Sequence, residues 1–316
     1  MRLLRSEFLR ARSRRLVPVV IIGGLIGIVV GLGIAAVYSS PPSDAKLAEA
    51  QQRYEQEYDR CVKGRFLGPN GEVPAGYASL EEFCADNSGP YISDAGVQLR
   101  DLADIMVGIS TFVILLGAVL GASLGGADWT NDTITTLLTW EPRRIRVLLV
   151  RAVVVAVFVF SITLVLQGIF GGLYALVAST RGTTAFVPSG LWSDAGQSVL
   201  RISCVATAFA LIALALATIG RSTVASLGAL FGYLILFEGV IAGFRPSIQS
   251  WLLMRAGGVV VSQSPILDYG SGESYGLGYP EPTVLMSVTR ADAVLAAYVV
   301  ALLVLALVIF RRRDIT

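Results

Sequence analysis

Few side chains in this sequence can do chemistry, and the missing types matter as much as those present. There is no histidine among the 316 residues, which removes Ser-His-Asp and Cys-His catalysis, HExxH zinc chemistry and imidazole proton relays. The only lysines are Lys46 and Lys63, and neither stands in a GxxxxGK[ST] loop, so the chain has no Walker A grip on a nucleotide phosphate. Glu238 lies in an otherwise apolar run, where a charge is costly and often functional. It reads either as a group on a translocation path or as a structural partner of Arg201 or Arg245. Gln167, in another apolar run, suits interhelical hydrogen bonding or contact with a substrate. A lipid-modifying site built from Glu238, Asp194 and an outer loop would lack a paired intramembrane acid and base. Cys61 and Cys84 are candidates for a disulfide, whereas Cys204, inside an apolar run, is expected to be a small packing residue.

The elements that carry these residues belong to a membrane. The composition is 54% hydrophobic and 15% charged, with 33 glycines, well short of the charge of a soluble domain. A hydrocarbon core of about 30 Å needs about 20 apolar residues in helix. Six runs qualify, at 16–38, 105–127, 152–178, 202–220, 222–244 and 293–310. The third is longer than the core requires and is expected to tilt or project. Arginines cluster before the first run, before the third and after the last. The positive-inside rule then puts both termini in the cytoplasm of a plasma-membrane protein. The first run has no cleavage motif before Tyr38 and is expected to persist as a span. Ahead of it, Leu3, Leu4, Phe8 and Leu9 alternate with arginines over residues 1–15, the pattern of a helix lying among headgroups.

The loop from 39 to 104 faces outward in this topology, and its residues 39–100 hold ten acidic and six basic side chains. Residues 44–62 are strong helix formers, and Ser79 with Glu82 makes a capping box for a second short helix. An oxidising compartment favours the Cys61–Cys84 bond. The second outer loop, 245–290, contains SIQSWLLMRAGGVVV, which suits a re-entrant or interfacial helix, followed by a Gly, Ser, Tyr and Pro-rich cap. Glycines spaced by four, at Gly23, Gly27 and Gly31, at Gly117, Gly121 and Gly125, and at Gly228 and Gly232, predict close helix packing.

Residues 128–144, DWTNDTITTLLTWEPRR, join the second and third runs on the cytoplasmic side. Asn131 or Asp132 can cap a helix whose Ile134, Leu137, Leu138 and Trp140 form an apolar face, and Pro142 stops it. That face needs a groove in lipid or in another protein, and Asp128, Asp132 and Glu141 suit anionic lipid poorly.

This segment resembles that of the permease subunits of type-2 ATP-binding cassette (ABC) exporters. There an acidic residue after the second span leads through a Thr-rich, Leu-Leu helix to a Pro-Arg turn. Asp128 stands at the acidic position, next to Trp129. Thr133, Leu137 and Leu138 stand on the helix, and Pro142, Arg143 and Arg144 at the turn. The sequence departs from the pattern in having Asp for the usual Glu, Asp132 where glycine is common and Arg151 where lysine is common. The ending FRRRDIT is also similar. The resemblance implies an all-α fold of six transmembrane helices, with residues 1–316 as one permease domain. It implies a coupling helix that docks into a separate cytoplasmic ABC ATPase, which uses ATP and Mg, and a second permease in a homodimer or heterodimer. The chain would then be no enzyme, bind no cofactor, metal or nucleic acid, and move a hydrophobic or amphipathic substrate out of the cytoplasm or inner leaflet. A non-transporting scaffold or regulatory subunit could use the same helix as a dock. Arginine outnumbers lysine 23 to 2, which points to a GC-rich, actinobacterial genome.

Overall fold

The computed structural model describes residues 2–65, 79–90, 92, 96–130, 139, 143–241, 246–268 and 283–312. The helix α1 (Arg2–Ser13) stops just short of α2 (Leu16–Tyr38). Pro18 explains the break: its missing N–H is harmless in the first turn of a helix and damaging within one. Helix α5 is Leu102–Thr130, α6 Arg144–Arg181, α7 Leu191–Gly220, and α8 Thr223–Tyr233, which continues as a π-helix over Leu234–Ile241. A 3-10 turn (Pro246–Trp251) leads into α9 (Leu253–Ser262), and α10 spans Val288–Arg312. Strands β1 (Ile266–Asp268) and β2 (Thr283–Met286) pair antiparallel.

Six of these helical segments are long and apolar enough to cross a bilayer: Leu16–Tyr38, Leu99–Ala127, Arg144–Arg181, Leu191–Gly220, Thr223–Val240 and Val288–Arg312. The chain is an all-α, multi-pass membrane protein. Its helices outrun the apolar stretches that announce them, because backbone hydrogen bonding continues past the point where side chains turn polar. The 38 residues of α6 extend about 57 Å, nearly twice the hydrocarbon thickness, so this helix must tilt steeply or project. Helix α7 likewise begins at Leu191, well ahead of the apolar run at 202–220.

The chain divides into two compact units, residues 1–22, 107–165 and 198–316, and residues 23–106 and 166–197. In the first, α5 and α7 approach through small residues. A Cβ added at Gly117 would meet the Ala206 carbonyl oxygen at 2.7 Å, one at Gly121 would strike the Ala210 backbone, and one at Gly125 would meet Leu214 at 2.8 Å. Each step of four on α5 is matched by a step of four on α7. Such contact replaces the hydrophobic drive that lipid cannot supply between helices. The other glycine series behave differently: Gly23, Gly27, Gly31, Gly228 and Gly232 have open space where a Cβ would stand. Cys204 departs from expectation too, being exposed. The buried face of α7 runs through Ile202, Val205, Ala206 and Phe209, and residue 204 falls on the opposite side of the helix.

In the second unit the segment after the first span is ordered by helices, as its composition predicts. Helix α3 (Asp44–Arg60) runs into a π-helical turn over Cys61–Arg65, and α4 covers Leu80–Asn87. Ser79 Oγ accepts the Glu82 N–H at 3.1 Å, capping α4. A disulfide joins Cys61 to Cys84, with Cα atoms 5.7 Å apart. Ala50 of α3 and Ile92 are buried together, with Leu47 and Phe186 against them. Ser39 Oγ donates to the Arg181 carbonyl at 2.8 Å and accepts from Val97 N–H at 3.1 Å. Tyr174 donates to the Gln98 carbonyl at 2.9 Å. Burial, helped by the neighbouring Tyr58 and Asp86, pushes the Tyr54 phenol above its ordinary pKa.

The glycine contacts generate a test. Gly121→Ala must move backbone in α7 and should cost about 1–3 kcal/mol. Gly27→Ala adds a better helix former in open space and should be neutral or stabilising. Thermal unfolding of the two purified variants reads the contrast, and equal melting temperatures would refute the α5–α7 packing.

Candidate functional site

The first unit holds three polar arrangements on otherwise apolar helices. The first lies where α5 ends and α6 begins. Trp129, in the last turn of α5, has the Arg221 guanidinium carbon 5.0 Å from its ring centroid, a cation–π distance. Phe310 of α10 meets the same indole edge-on at 6.0 Å. Arg144, the first residue of α6, donates to the Phe310 carbonyl at 3.5 Å. Leu148, Ala215, Ala306 and Phe310 are buried together beneath, with Ile219 and Trp129 packed on them. Arg221 reaches the indole from the tight turn between α7 and α8 with φ of 53°, a left-handed conformation costly for a non-glycine residue. Ser222 then caps α8, accepting the Ala225 N–H at 3.3 Å. The two flanks of the 131–142 segment are thus tied to one knot of α5, α6, α7 and α10.

The second arrangement surrounds Glu238, which sits in the π-helical continuation of α8, a geometry frequent at functional sites. Its carboxylate accepts the N–H groups of Met254 at 2.6 Å and Arg255 at 3.2 Å, two of the unpaired donors at the start of α9. Tyr233 accepts the Leu253 N–H at 3.4 Å and lies 3.2 Å from the Tyr298 hydroxyl, which itself donates to the Trp251 carbonyl at 3.2 Å. Arg290 donates to Ser250 at 3.1 Å and stands 5.1 Å from the Trp251 ring centroid. Helix α9 is mostly buried, and its Gly257 approaches Val205 and Phe209. The partners described for Glu238 are the main-chain amides of Met254 and Arg255; Arg245 lies outside the described residues. A short helix in this segment was legible in the sequence, but its anchoring on Glu238 was not.

Residues 83–316 match the DUF2705 family, described as proteins of unknown function. The chain belongs to that family. The match takes in the last five candidate spans, the Trp129 knot and the Glu238 network. No curated protein matches the chain.

The third arrangement falls partly outside the matched residues. Glu7 of α1 accepts from Arg10 at 3.3 Å and faces Arg151 of α6 at 3.4 Å. The Glu7 and Arg151 side chains are each only 6% exposed, so removing either would take a counter-charge from a buried group. Ala11, one turn on, is buried on the same face, while Phe8 and Leu9 point outward. Helix α1 therefore turns Glu7 and Ala11 inward and leaves Leu9 exposed, while Phe8, also exposed, meets Phe158 of α6 nearly at right angles at 6.0 Å.

The sequence-derived site residues distribute as follows. Asp128 lies in the last turn of α5, Trp129 in the knot, and Arg143 is exposed just ahead of Arg144. Thr133, Leu137, Leu138 and Pro142 lie outside the described residues, as do residues 269–282, most of the Gly, Ser, Tyr and Pro-rich stretch. Gln167, in the second unit, is 1% exposed, and its amide has no hydrogen-bond partner among the described residues. Sequence reasoning missed Glu7, Arg221 and Phe310. Glu7 is the lone acid in an arginine-rich stretch, and Arg221 is the lone charge in the turn between two spans; both signals were present.

Glu238→Ala should strand the Met254 and Arg255 amides at a cost of about 1–3 kcal/mol and speed hydrogen exchange over 253–256. Glu238→Gln, which keeps an acceptor oxygen, should show a smaller effect on both. Exchange over α9 that is the same in all three proteins would exclude the capping role.

Proposed function

We propose that this chain is the membrane-spanning subunit of an ATP-driven ABC exporter, drawing its energy from a separate cytoplasmic ATPase. The observation that carries the reading is the segment 128–144. Its residues resemble the coupling segment of type-2 permeases, and its flanks, Trp129 and Arg144, meet in one packed knot. A docking element can drive spans only if it is mechanically joined to them. Through Arg221 and Phe310 the knot also reaches the ends of α7 and α10, so movement of the segment would be passed to α6, α7 and α10 together. Arginine placement supports cytoplasmic termini, which puts this knot on the side where an ATPase works. Thr133, Leu137 and Leu138 would face the ATPase cleft, with Asp128, Pro142, Arg143 and Arg144 shaping the turns. A second permease copy or homologue would complete the pathway, with Gln167 and Glu238 as candidate groups along it. The apolar spans suit a hydrophobic or amphipathic substrate.

The test separates docking from transmission. Leu137→Asp with Leu138→Asp should abolish copurification of an ABC ATPase from native membranes while expression is unchanged. Trp129→Ala should leave copurification intact and lower the ATPase rate of the complex severalfold. Full ATPase association in the Leu137/Leu138 double variant would sink the proposal.

A further inference from the structure

We infer that the π-helical stretch Leu234–Ile241 is a two-position latch on α9: in π geometry it grips the start of that helix through Glu238, and in α geometry it lets go. Three amides at the start of α9 depend on side chains for acceptors. Ala256 is the first residue of this helix whose N–H is taken by a backbone carbonyl, that of Leu252 at 2.9 Å. Leu253 donates instead to Tyr233, and Met254 and Arg255 donate to Glu238. Tyr233 and Glu238 are five residues apart. At 3.6 residues per turn their side chains would point about 140° apart, too far to serve one helix end. A π-helix bonds residue i to residue i+5 and so stacks the fifth residue over the first. The wide turn is therefore what brings both acceptors to α9.

The two geometries differ little in packing. The first part of α8 is fixed, with Leu230 buried and Ser226 Oγ donating to the Ala213 carbonyl of α7 at 2.7 Å. Beyond it, Ile235, Leu236, Phe237 and Val240 are exposed. In a bilayer, apolar side chains on such a surface find similar surroundings after a rotation, so changing the register there breaks few contacts. The π form is the rarer of the two, and the two amide bonds of Glu238 favour it. Half of the grip persists in either form. Tyr233 precedes the wide turn and keeps Leu253, while Tyr298 keeps the Trp251 carbonyl. Return to α geometry thus frees Met254 and Arg255 alone and loosens the first turn of α9, whose remaining length is buried. This inference stands whether or not the chain couples to an ATPase.

Hydrogen exchange on the full-length protein in detergent, followed by mass spectrometry over 253–256 and 234–241, tests the latch with two deletions. Removing Leu236 absorbs the wide turn into an α-helix in which Glu238 stands four residues after Tyr233, about 40° away, still facing α9. Removing Gly239 gives an α-helix of the same length in which Glu238 is five residues from Tyr233 and turned away. Exchange over 253–256 should stay as in the parent protein after the first deletion and become at least about tenfold faster after the second. Equal exchange in the two deletion proteins would show that the grip does not depend on register and would overturn the inference. Should the Gly239 deletion not fold, Glu238→Ala decides. Loss of the grip should return residues 234–241 to α geometry and so change exchange there as well as over 253–256. A change confined to 253–256 would leave Glu238 as a plain cap and overturn the latch.

Discussion

Hydrocarbon offers no hydrogen-bond partner, and that constraint organises this molecule. Every backbone amide and carbonyl at membrane depth must be satisfied by the chain itself, which accounts for the helices first and for their irregularities second. The π-helical stretch after Tyr233 and the break before Leu253 would each release polar groups. The structure answers with Glu238 and Tyr233 on the amides that open α9 and Tyr298 on the Trp251 carbonyl. A half-buried carboxylate that looks like functional chemistry in the sequence thus has a backbone task. Satisfying α9 and contributing to a pathway are compatible roles, since both need the carboxylate to be held in one geometry.

The same constraint makes paired charge a device for joining elements. Glu7 of α1 and Arg151 of α6 are buried against each other, so each supplies the other with a counter-charge. At the ends of α5 and α6, Trp129 meets Arg221 over its ring face and Phe310 at its edge. Nonpolar packing between helices is cheap to rearrange in lipid, where apolar side chains find similar surroundings anywhere. The Gly–Ala contacts of α5 with α7 resist that rearrangement through close backbone approach, and the charged and aromatic contacts resist it through specific geometry.

Family membership leaves the activity to be argued from these sites. The resemblance to type-2 permeases rests on a short segment, whereas the knot around Trp129 shows how its flanks are held. Together they turn a motif into a mechanical hypothesis about where force would enter the bundle.

Composition and hydropathy were enough to determine the class, the six candidate spans and the ordered helices of the segment between the first two, because burial in lipid acts on each side chain locally and Ser79 caps its helix within one turn. The cysteine pair was legible from the helices that flank it and from the oxidising side to which the expected topology assigns it. Local signals could not say which glycines pack. Gly27 and Gly121 have the same spacing pattern, yet only Gly121 has a helix against it, and that depends on which residues of α7 arrive opposite. Nor could they reveal that Cys204 faces outward, that Glu238 caps α9, or that Glu7 meets Arg151. Each of those outcomes depends on residues distant in the chain becoming neighbours, and only the tertiary structure decides that.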